Sequence, residues 1–224
     1  MTIQVRLNKL LETIRKTERR YGRTINSVQL IAVSKTKPAS MIATAYQAGQ
    51  RHFGENYVQE AYTKQKALSA FNITWHFIGP IQSNKTKLIA NQFDWVHSVD
   101  SLKIAERLNA QRPVHLPPLN ICLQINISEE NSKSGFALSA LPSMVSAVLA
   151  LPHLNLRGVM AIPEPQSDLA KQRIPYQTLV STTQALQCKQ LTTFSFGMTD
   201  DLEAGIAEGA TFVRIGSAIF GARH

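Results

Sequence analysis

The sequence predicts an α/β protein with a single (β/α)8 barrel, the TIM-barrel fold, spanning residues 1–224. Eight short apolar runs follow one another along the chain, and helix-compatible segments separate most of them. Strands that alternate with helices are typical of a parallel sheet covered by helices, and the chain length suits one such domain. An open doubly wound sheet is the alternative. It usually has fewer strands, and no glycine fingerprint of the dinucleotide type follows the first strand.

The strands and helices can be assigned in chain order. An extra N-terminal helix is predicted over residues 3–21, because Leu7, Leu10 and Ile14 share one face and Gly22 follows its end. The eight predicted strands are residues 28–34, 52–56, 74–79, 94–100, 120–127, 154–162, 193–198 and 211–216. Helices are predicted at residues 38–48, 101–109, 138–151 and 202–208, and residues 164–190 are predicted as a loop plus one helix.

Two helix starts carry specific cap signals. Ser101 stands directly before the helix predicted at 101–109, where a hydroxyl accepts from an orphan amide. Asp200, with Glu203 three positions later, predicts a variant of the capping box at the start of 202–208.

Composition narrows the function classes. The net charge is +9 with a pI of about 9.8, but the basic residues are scattered and clustered aromatic stacking motifs are lacking, which disfavours a nucleic-acid module. No segment is apolar enough to cross a membrane, and Met1-Thr2-Ile3-Gln4 lacks a signal-peptide pattern. Cys122 is expected to be a buried free thiol. We therefore expect a cytoplasmic protein that contacts neither nucleic acid nor membrane.

Three strand ends deliver polar side chains to the carboxyl face of the predicted barrel, where barrel enzymes place their sites. Lys35 ends the first strand, and a lysine there forms a Schiff base with an aldehyde or is simply a surface lysine. Asn56 ends the second strand, either as a helix cap or as a hydrogen-bond partner for a ring hydroxyl. His76 lies in the third, either in the site or as a satisfied core histidine. No metal-ligand spacing accompanies it.

The last two strands predict a phosphate site, because each ends in a glycine turn with hydroxyls. Strand parity places Ser195 and Gly197 toward the barrel interior, with Phe194 and Phe196 toward the helices. The residues expected at the phosphate are Gly197, Met198, Thr199, Gly216 and Ser217. Two glycine turns without a ligand are the alternative.

Arg214 shares a face with Gly216 in the last strand. A charged guanidinium among helix-packing valines would be costly. It is therefore expected to point into the barrel, toward a ligand or a carboxylate.

These segments resemble the pyridoxal phosphate homeostasis proteins, a family related to the barrel domain of alanine racemases. The resemblance covers nearly the whole chain, and its motifs occur in order. They are AVSKTKP at 32–38, FGENY at 53–57, HFIG at 76–79, NSKSG at 131–135, GVMA at 158–161, FGMTDD at 196–201 and VRIGSAIFG at 213–221.

The resemblance implies that the cofactor is pyridoxal 5'-phosphate, held as a Schiff base on Lys35. It also implies that Arg214 faces the pyridine nitrogen. The residues that it implies hold the phosphate are Ser195, Gly197, Met198, Thr199, Gly216 and Ser217. Thr199 stands where serine is commoner in the family, and Ser217 where threonine is commoner. Both substitutions keep a hydroxyl. Because a guanidinium stays protonated, Arg214 would disfavour protonation of the ring nitrogen and weaken the cofactor as an electron sink.

A carrier for vitamin B6 homeostasis is therefore expected rather than an efficient enzyme, with apo-enzymes that use the cofactor as recipients. Related racemases resemble a barrel followed by a β domain that supplies a second catalytic base, and here three residues follow Gly221. A slow amino-acid racemase is the alternative. The protein is expected to be a monomer. Whether Lys37, Lys85 or Lys133 forms a second cofactor site stays open.

Overall fold

The structure, a computed structural model, describes residues 1–128 and 134–222. Eight parallel strands close into a barrel in chain order, and the last strand pairs with the first. This confirms the predicted (β/α)8 fold. The strands are β1 (Gln29–Val33), β2 (His52–Glu55), β3 (Thr74–Phe77), β4 (Trp95–Val99), β5 (Leu119–Ile125), β6 (Leu154–Ala161), β7 (Thr193–Ser195) and β8 (Phe212–Ile215).

One helix precedes the barrel, and a helix follows each strand. The helices are α1 (Ile3–Arg20), α2 (Ala39–Gln47), α3 (Val58–Ala67), α4 (Thr86–Gln92), α5 (Leu102–Gln111), α6 (Leu141–Leu149), α7 (Leu169–Ala185), α8 (Leu202–Ala207) and α9 (Ser217–Phe220). Short 3-10 turns precede α4 and α6. In the described ranges, no helix has the combination of length and apolarity that a bilayer span needs.

Local sequence explains where several helices begin. Thr2 caps α1 by accepting the Val5 amide, and Ser101 caps α5 as predicted. The capping box predicted at Asp200 is wrong. Asp201 stands at the N-cap of α8 and makes no side-chain cap bond, and Glu203 instead accepts the Tyr21 hydroxyl across the molecule. Glu203 is therefore engaged by Tyr21, a residue distant in the sequence, and not by the backbone at the start of α8.

The apolar core lies mainly between the sheet and the helices, where residues such as Leu7, Ile42, Phe77 and Phe196 are fully buried. The barrel interior is different, because rings fill it. Phe212 of β8 packs against the rings of His52, His76, Trp95 and His97, with centroids 5.2 to 6.0 Å away. These rings close the barrel below the carboxyl ends of the strands.

Candidate functional site

A cavity of about 220 Å³ opens at the carboxyl ends of the strands. It brings together seven residues that the sequence predicted for the site, together with Lys37. Its lining residues are Val33, Lys35, Lys37, Asn56, Ile78, Ile162, Met198, Thr199, Arg214, Gly216, Ser217 and Gly221. The cavity is therefore lined by two lysines, one arginine and two residues with hydroxyl groups.

Lys35 follows β1 in a turn with unusual backbone geometry. The next residue, Thr36, has φ of 63° although it is not glycine. A β-branched residue in this left-handed region is strained and persists only where the surroundings hold it. The Thr36 amide donates to Glu60 Oε1 at 2.6 Å, and the Lys37 amide donates to the Ser34 carbonyl at 3.0 Å. The chain on both sides of Lys35 is thus fixed by hydrogen bonds.

An ionic cluster, formed by Ser34, Glu55, Glu60 and Lys64, lies beneath this turn between the barrel and α3. Lys64 Nζ donates to the Ser34 carbonyl and to Glu55 Oε1, both at 2.7 Å, and also to Glu60 Oε1. Ser34 Oγ donates to Glu55 Oε1 at 2.6 Å. Glu55 is fully buried, and burial raises the pKa of its carboxyl, although the Lys64 ammonium acts in the opposite direction.

Asn56, directly after β2, offers an acceptor to the cavity. Its Oδ1 atom is buried and makes no hydrogen bond with any residue that the structure describes. Gly79 makes the turn possible, because a Cβ there would lie 2.2 Å from the Asn56 carbonyl oxygen. A bound molecule with a hydroxyl or N–H group would satisfy Asn56.

Arg214 points into the barrel, as parity predicted, and only 5% of it is exposed. Its Nη1 donates to the carbonyl and hydroxyl oxygens of Ser195, and its Nη2 donates to the Ala161 carbonyl at 3.2 Å. These partners are neutral oxygens rather than the carboxylate that was one of two expectations. Burial lowers the pKa of the guanidinium, which keeps its charge at neutral pH because arginine is not deprotonated in proteins.

A histidine chain, formed by His52, His76 and His97, extends from Ser195 through the barrel interior. The His97 Nδ1–Ser195 Oγ distance is 2.8 Å, and the His76–His97 and His52–His76 nitrogen distances are each 2.9 Å. Since Arg214 donates to Ser195 Oγ, the Ser195 hydroxyl is available to donate to His97 Nδ1. His97 and His76 then each carry their proton on Nε2 and donate it to Nδ1 of the next ring, from His97 to His76 and from His76 to His52.

The histidine chain is neutral because of burial. Burial lowers the pKa of all three rings, and the nearby Arg214 charge lowers that of His97 further, to about 3. His76 was expected at the cofactor, and the structure corrects this. The ring is fully buried between two other histidines and does not line the cavity, so the core reading is the right one.

Ser195 and Gly197 lie beneath the cavity wall rather than on it. Ser195 is fully buried under Arg214, and the Gly197 carbonyl accepts the Arg214 amide at 2.9 Å. Gly197 has φ of 90°, a conformation that favours glycine, so the chain can turn there toward Met198. Ser195 supports the Arg214 guanidinium and Gly197 supports the Arg214 backbone, whereas Thr199 and Ser217 stand at the cavity itself.

The turn after β7 is held by Asp201. Its Oδ1 accepts the Met198 amide at 2.6 Å, and its Oδ2 accepts the Tyr176 hydroxyl from α7. Tyr176 also stacks on Phe196, with ring centroids 4.3 Å apart. Because the Met198 amide is already donated, Thr199 and Ser217 are the better-placed groups for a phosphate.

The three other lysines have different positions. Lys37 lines the cavity and donates to the Ala222 carbonyl at 2.7 Å. Lys85 ends the 3-10 turn before α4 and does not line the cavity. Lys133 lies outside the described residues. A second cofactor site on any of them stays untested.

The sequence reading missed several residues around the site. Ile78, Ile162 and Gly221 line the cavity. Ile78 and Ile162 directly follow β3 and β6, and this strand-end position is the signal that could have found them, whereas Gly221 follows α9. His97 shares a strand face with Trp95, so parity could have placed it inside the barrel. No local signal identifies the contact of Asp201 with Tyr176, because Tyr176 belongs to α7.

Comparison with known proteins decides the family. The family described as "Alanine racemase, N-terminal domain" matches residues 5–224. The chain is 55% identical to the pyridoxal phosphate homeostasis protein of Pseudomonas aeruginosa, covering 99% of this chain and 96% of that one. For the Escherichia coli K12 protein of the same name the identity is 51%, covering 97% and 95%. The chain belongs to the pyridoxal phosphate homeostasis protein family.

Solved structures agree with this membership. PipY of Synechococcus elongatus, solved with PLP bound, has a TM-score of 0.85 at 36% identity, covering 98% of this chain and 100% of that one. The alanine racemase of Corynebacterium glutamicum has a TM-score of 0.67 at 16% identity, covering 97% and 62%. The racemase likeness shows the shared barrel fold. Within the family, the PipY likeness extends over the whole chain.

Proposed function

We propose that the protein binds pyridoxal 5'-phosphate in this cavity and acts as a cytoplasmic carrier in vitamin B6 homeostasis, without efficient catalysis. The observation that carries the proposal is the convergence of Lys35, Arg214 and the two hydroxyl-bearing turns on one cavity. Family membership supports it, since relatives carry that name and PipY was solved with PLP bound.

The residues fit the cofactor. When bound, pyridoxal 5'-phosphate supplies an aldehyde that condenses with amines and a ring that withdraws electrons. Lys35 supplies the amine for a Schiff base, and Asn56 Oδ1 offers its buried acceptor to the ring hydroxyl. Arg214 donates toward the ring nitrogen. Thr199, Gly216 and Ser217 receive the phosphate, with Met198 beside it, and Ser195 and Gly197 hold Arg214 from below.

The charge on Arg214 supports the carrier role. A guanidinium donates and cannot accept, so it disfavours a proton on the ring nitrogen. Racemisation also needs an acid–base group on each face of the substrate α-carbon. Among the described residues lining the cavity, the ionisable side chains are Lys35, Lys37 and Arg214, and Lys37 donates to the Ala222 carbonyl. A slow racemase remains the second candidate, with Lys35 as its one base. Apo-enzymes are the proposed recipients, and a monomer is the proposed state.

The test is the absorbance spectrum of the purified protein with pyridoxal 5'-phosphate, before and after borohydride, followed by peptide mapping. Lys35→Ala should lose the yellow absorbance and the borohydride-fixed cofactor, with the far-ultraviolet circular dichroism unchanged. Lys85→Ala is the matched control, because Lys85 lies outside the cavity, and it should behave as wild type.

Cofactor fixed on another lysine and not on Lys35 in the wild type would refute the site. Racemase turnover of about 1–10³ per second that Lys35→Ala abolishes would replace the carrier with the enzyme. Transfer of cofactor to an apo-enzyme without such turnover is the expected result.

A further inference from the structure

The ionic cluster beneath the Lys35 turn has a role that the binding of a cofactor alone does not require. We propose that Glu60 and Lys64 are positioning residues for Lys35, because together with Glu55 they hold the strained Thr36 backbone that aims the Lys35 side chain into the cavity. The inference rests on the proposed role of Lys35 in binding the cofactor.

The connections are direct and lie on both sides of Lys35. The Ser34 carbonyl, which precedes Lys35, accepts Lys64 Nζ at 2.7 Å. The Thr36 amide, which follows it, donates to Glu60 Oε1 at 2.6 Å. Lys64 also donates to that same Glu60 oxygen, so one ammonium group joins the two ends of the turn. Lys35 is therefore held by its neighbouring peptide groups, and its side chain lines the cavity.

Burial makes this arrangement rigid. Lys64 is 5% exposed and Glu55 is fully buried, so the ammonium and the carboxylate cannot exchange partners with water. Buried lysines and glutamates are rare unless they are paired. A buried ion pair often stabilises a fold no more than apolar residues of similar size would, so stability alone does not explain why the cluster joins the barrel to α3. Its contacts with the turn at Lys35 do explain it.

The Thr36 conformation supplies the independent observation. A left-handed φ at a β-branched residue is costly, and nothing in the local sequence favours it, since neither glycine nor asparagine is present there. The Glu60 carboxylate offsets that cost by accepting the Thr36 amide. Without it, Thr36 would relax toward negative φ and Lys35 would leave the chain at a different angle.

The test uses Glu60→Ala, because Glu60 is partly exposed and its removal leaves Lys64 paired with Glu55. Two measurements are needed, the dissociation constant for pyridoxal 5'-phosphate by absorbance titration and the hydrogen-exchange rate of the Thr36 amide by NMR. We expect both to rise by about tenfold, since each depends on one hydrogen bond to a charged acceptor. Glu60→Gln keeps an acceptor oxygen and should recover most of the affinity.

The matched control is Glu12→Ala, which breaks the exposed Glu12–Lys16 pair of α1, also spaced i,i+4. It should leave both measurements unchanged. If Thr36 exchange accelerates in Glu60→Ala while the dissociation constant stays at the wild-type value, the cluster is structural only and the inference is overturned. An unchanged exchange rate would also overturn it. Failure of the proposed function is distinguishable, because borohydride would then fix no cofactor on Lys35 in the wild-type protein.

Discussion

The two groups that define the cavity, Lys35 and Arg214, are supported in opposite ways. Beneath Lys35 lies the ionic cluster, in which one ammonium lies between two carboxylates. Beneath Arg214 lies the histidine chain, whose rings are neutral, and the partners that the described residues give the guanidinium are neutral oxygens. The lysine is fixed through its backbone, whereas the arginine is fixed through its side chain.

The difference follows from what each group must do. A lysine that reacts with an aldehyde needs an uncharged amine that can reach the carbonyl carbon, and the ionic cluster acts on Lys35 through the peptide groups on either side of it. An arginine that donates toward a ring nitrogen needs a fixed plane and a retained charge. A neighbouring carboxylate would draw the guanidinium away, whereas carbonyl and hydroxyl oxygens hold it without neutralising it.

The largest effect is expected from breaking the ionic cluster. Lys64→Met should lower the free energy of unfolding by about 3–5 kcal/mol, because it leaves the buried Glu55 without its cation. Urea denaturation measures this. The double variant Glu55→Gln/Lys64→Met should recover much of the loss, since no buried charge remains unpaired. A double variant as unstable as the single one would show that the lost charge pair is not the cause.

Breaking the histidine chain should cost less, because no charge is stranded. His97→Leu leaves Ser195 and His76 each without a hydrogen-bond partner that the wild type provides. We expect a loss of about 1–3 kcal/mol in the free energy of unfolding. His115→Leu, at an exposed loop position, is the control and should change stability little. If His97→Leu lost more free energy of unfolding than Lys64→Met, the histidine chain and not the ionic cluster would be the more important for stability.

Lowering the pH should change the stability contributions of the histidine chain and the ionic cluster in opposite directions. The pKa of His97 is lowered to about 3, against about 6.5 in the unfolded chain, so the unfolded state takes up the proton first as pH falls. The stability that His97 contributes is complete above pH 6.5 and is lost toward pH 3, by up to about 1.4 kcal/mol per pH unit. Glu55 acts oppositely, because its raised folded pKa lets the folded state bind a proton first.

Denaturation at pH values from 7.5 to 5 should therefore give different slopes in two variants. His97→Leu should flatten the loss of stability with falling pH. Glu55→Gln should steepen it, because it removes the group that opposes the histidines. Profiles parallel to that of the wild type in both variants would contradict these assignments.

The comparison also shows how far the sequence could lead. The strand ends gave Lys35, Asn56 and Arg214 their places, because parallel strands deliver their carboxyl ends to one face of a barrel. Helix α3 was not predicted individually, since the buried Lys64 interrupts the apolar face by which an amphipathic helix is recognised. Lys64 also belongs to the ionic cluster. The residue that weakens the sequence signal for α3 is therefore the one that supplies the cation of the cluster.

The histidine chain was beyond local reasoning for another reason. His52, His76 and His97 lie 21 to 24 residues apart and meet only because β2, β3 and β4 are neighbours. Parity can place each ring inside the barrel, but the hydrogen bonds depend on register between strands. For His76 alone the sequence allows a place in the site or in the core, and only the neighbouring rings decide between the two.

The rings that fill the barrel determine how a molecule enters and leaves the cavity. Phe212, Trp95 and the histidines close the interior below Arg214, so a molecule in the cavity has the mouth at the strand ends as its route. The cofactor would then enter and leave through the same opening. Under the proposed function, a recipient enzyme that docks over this opening would exclude both bulk water and free cofactor. Release of one cofactor molecule and binding of the next could not occur at the same time.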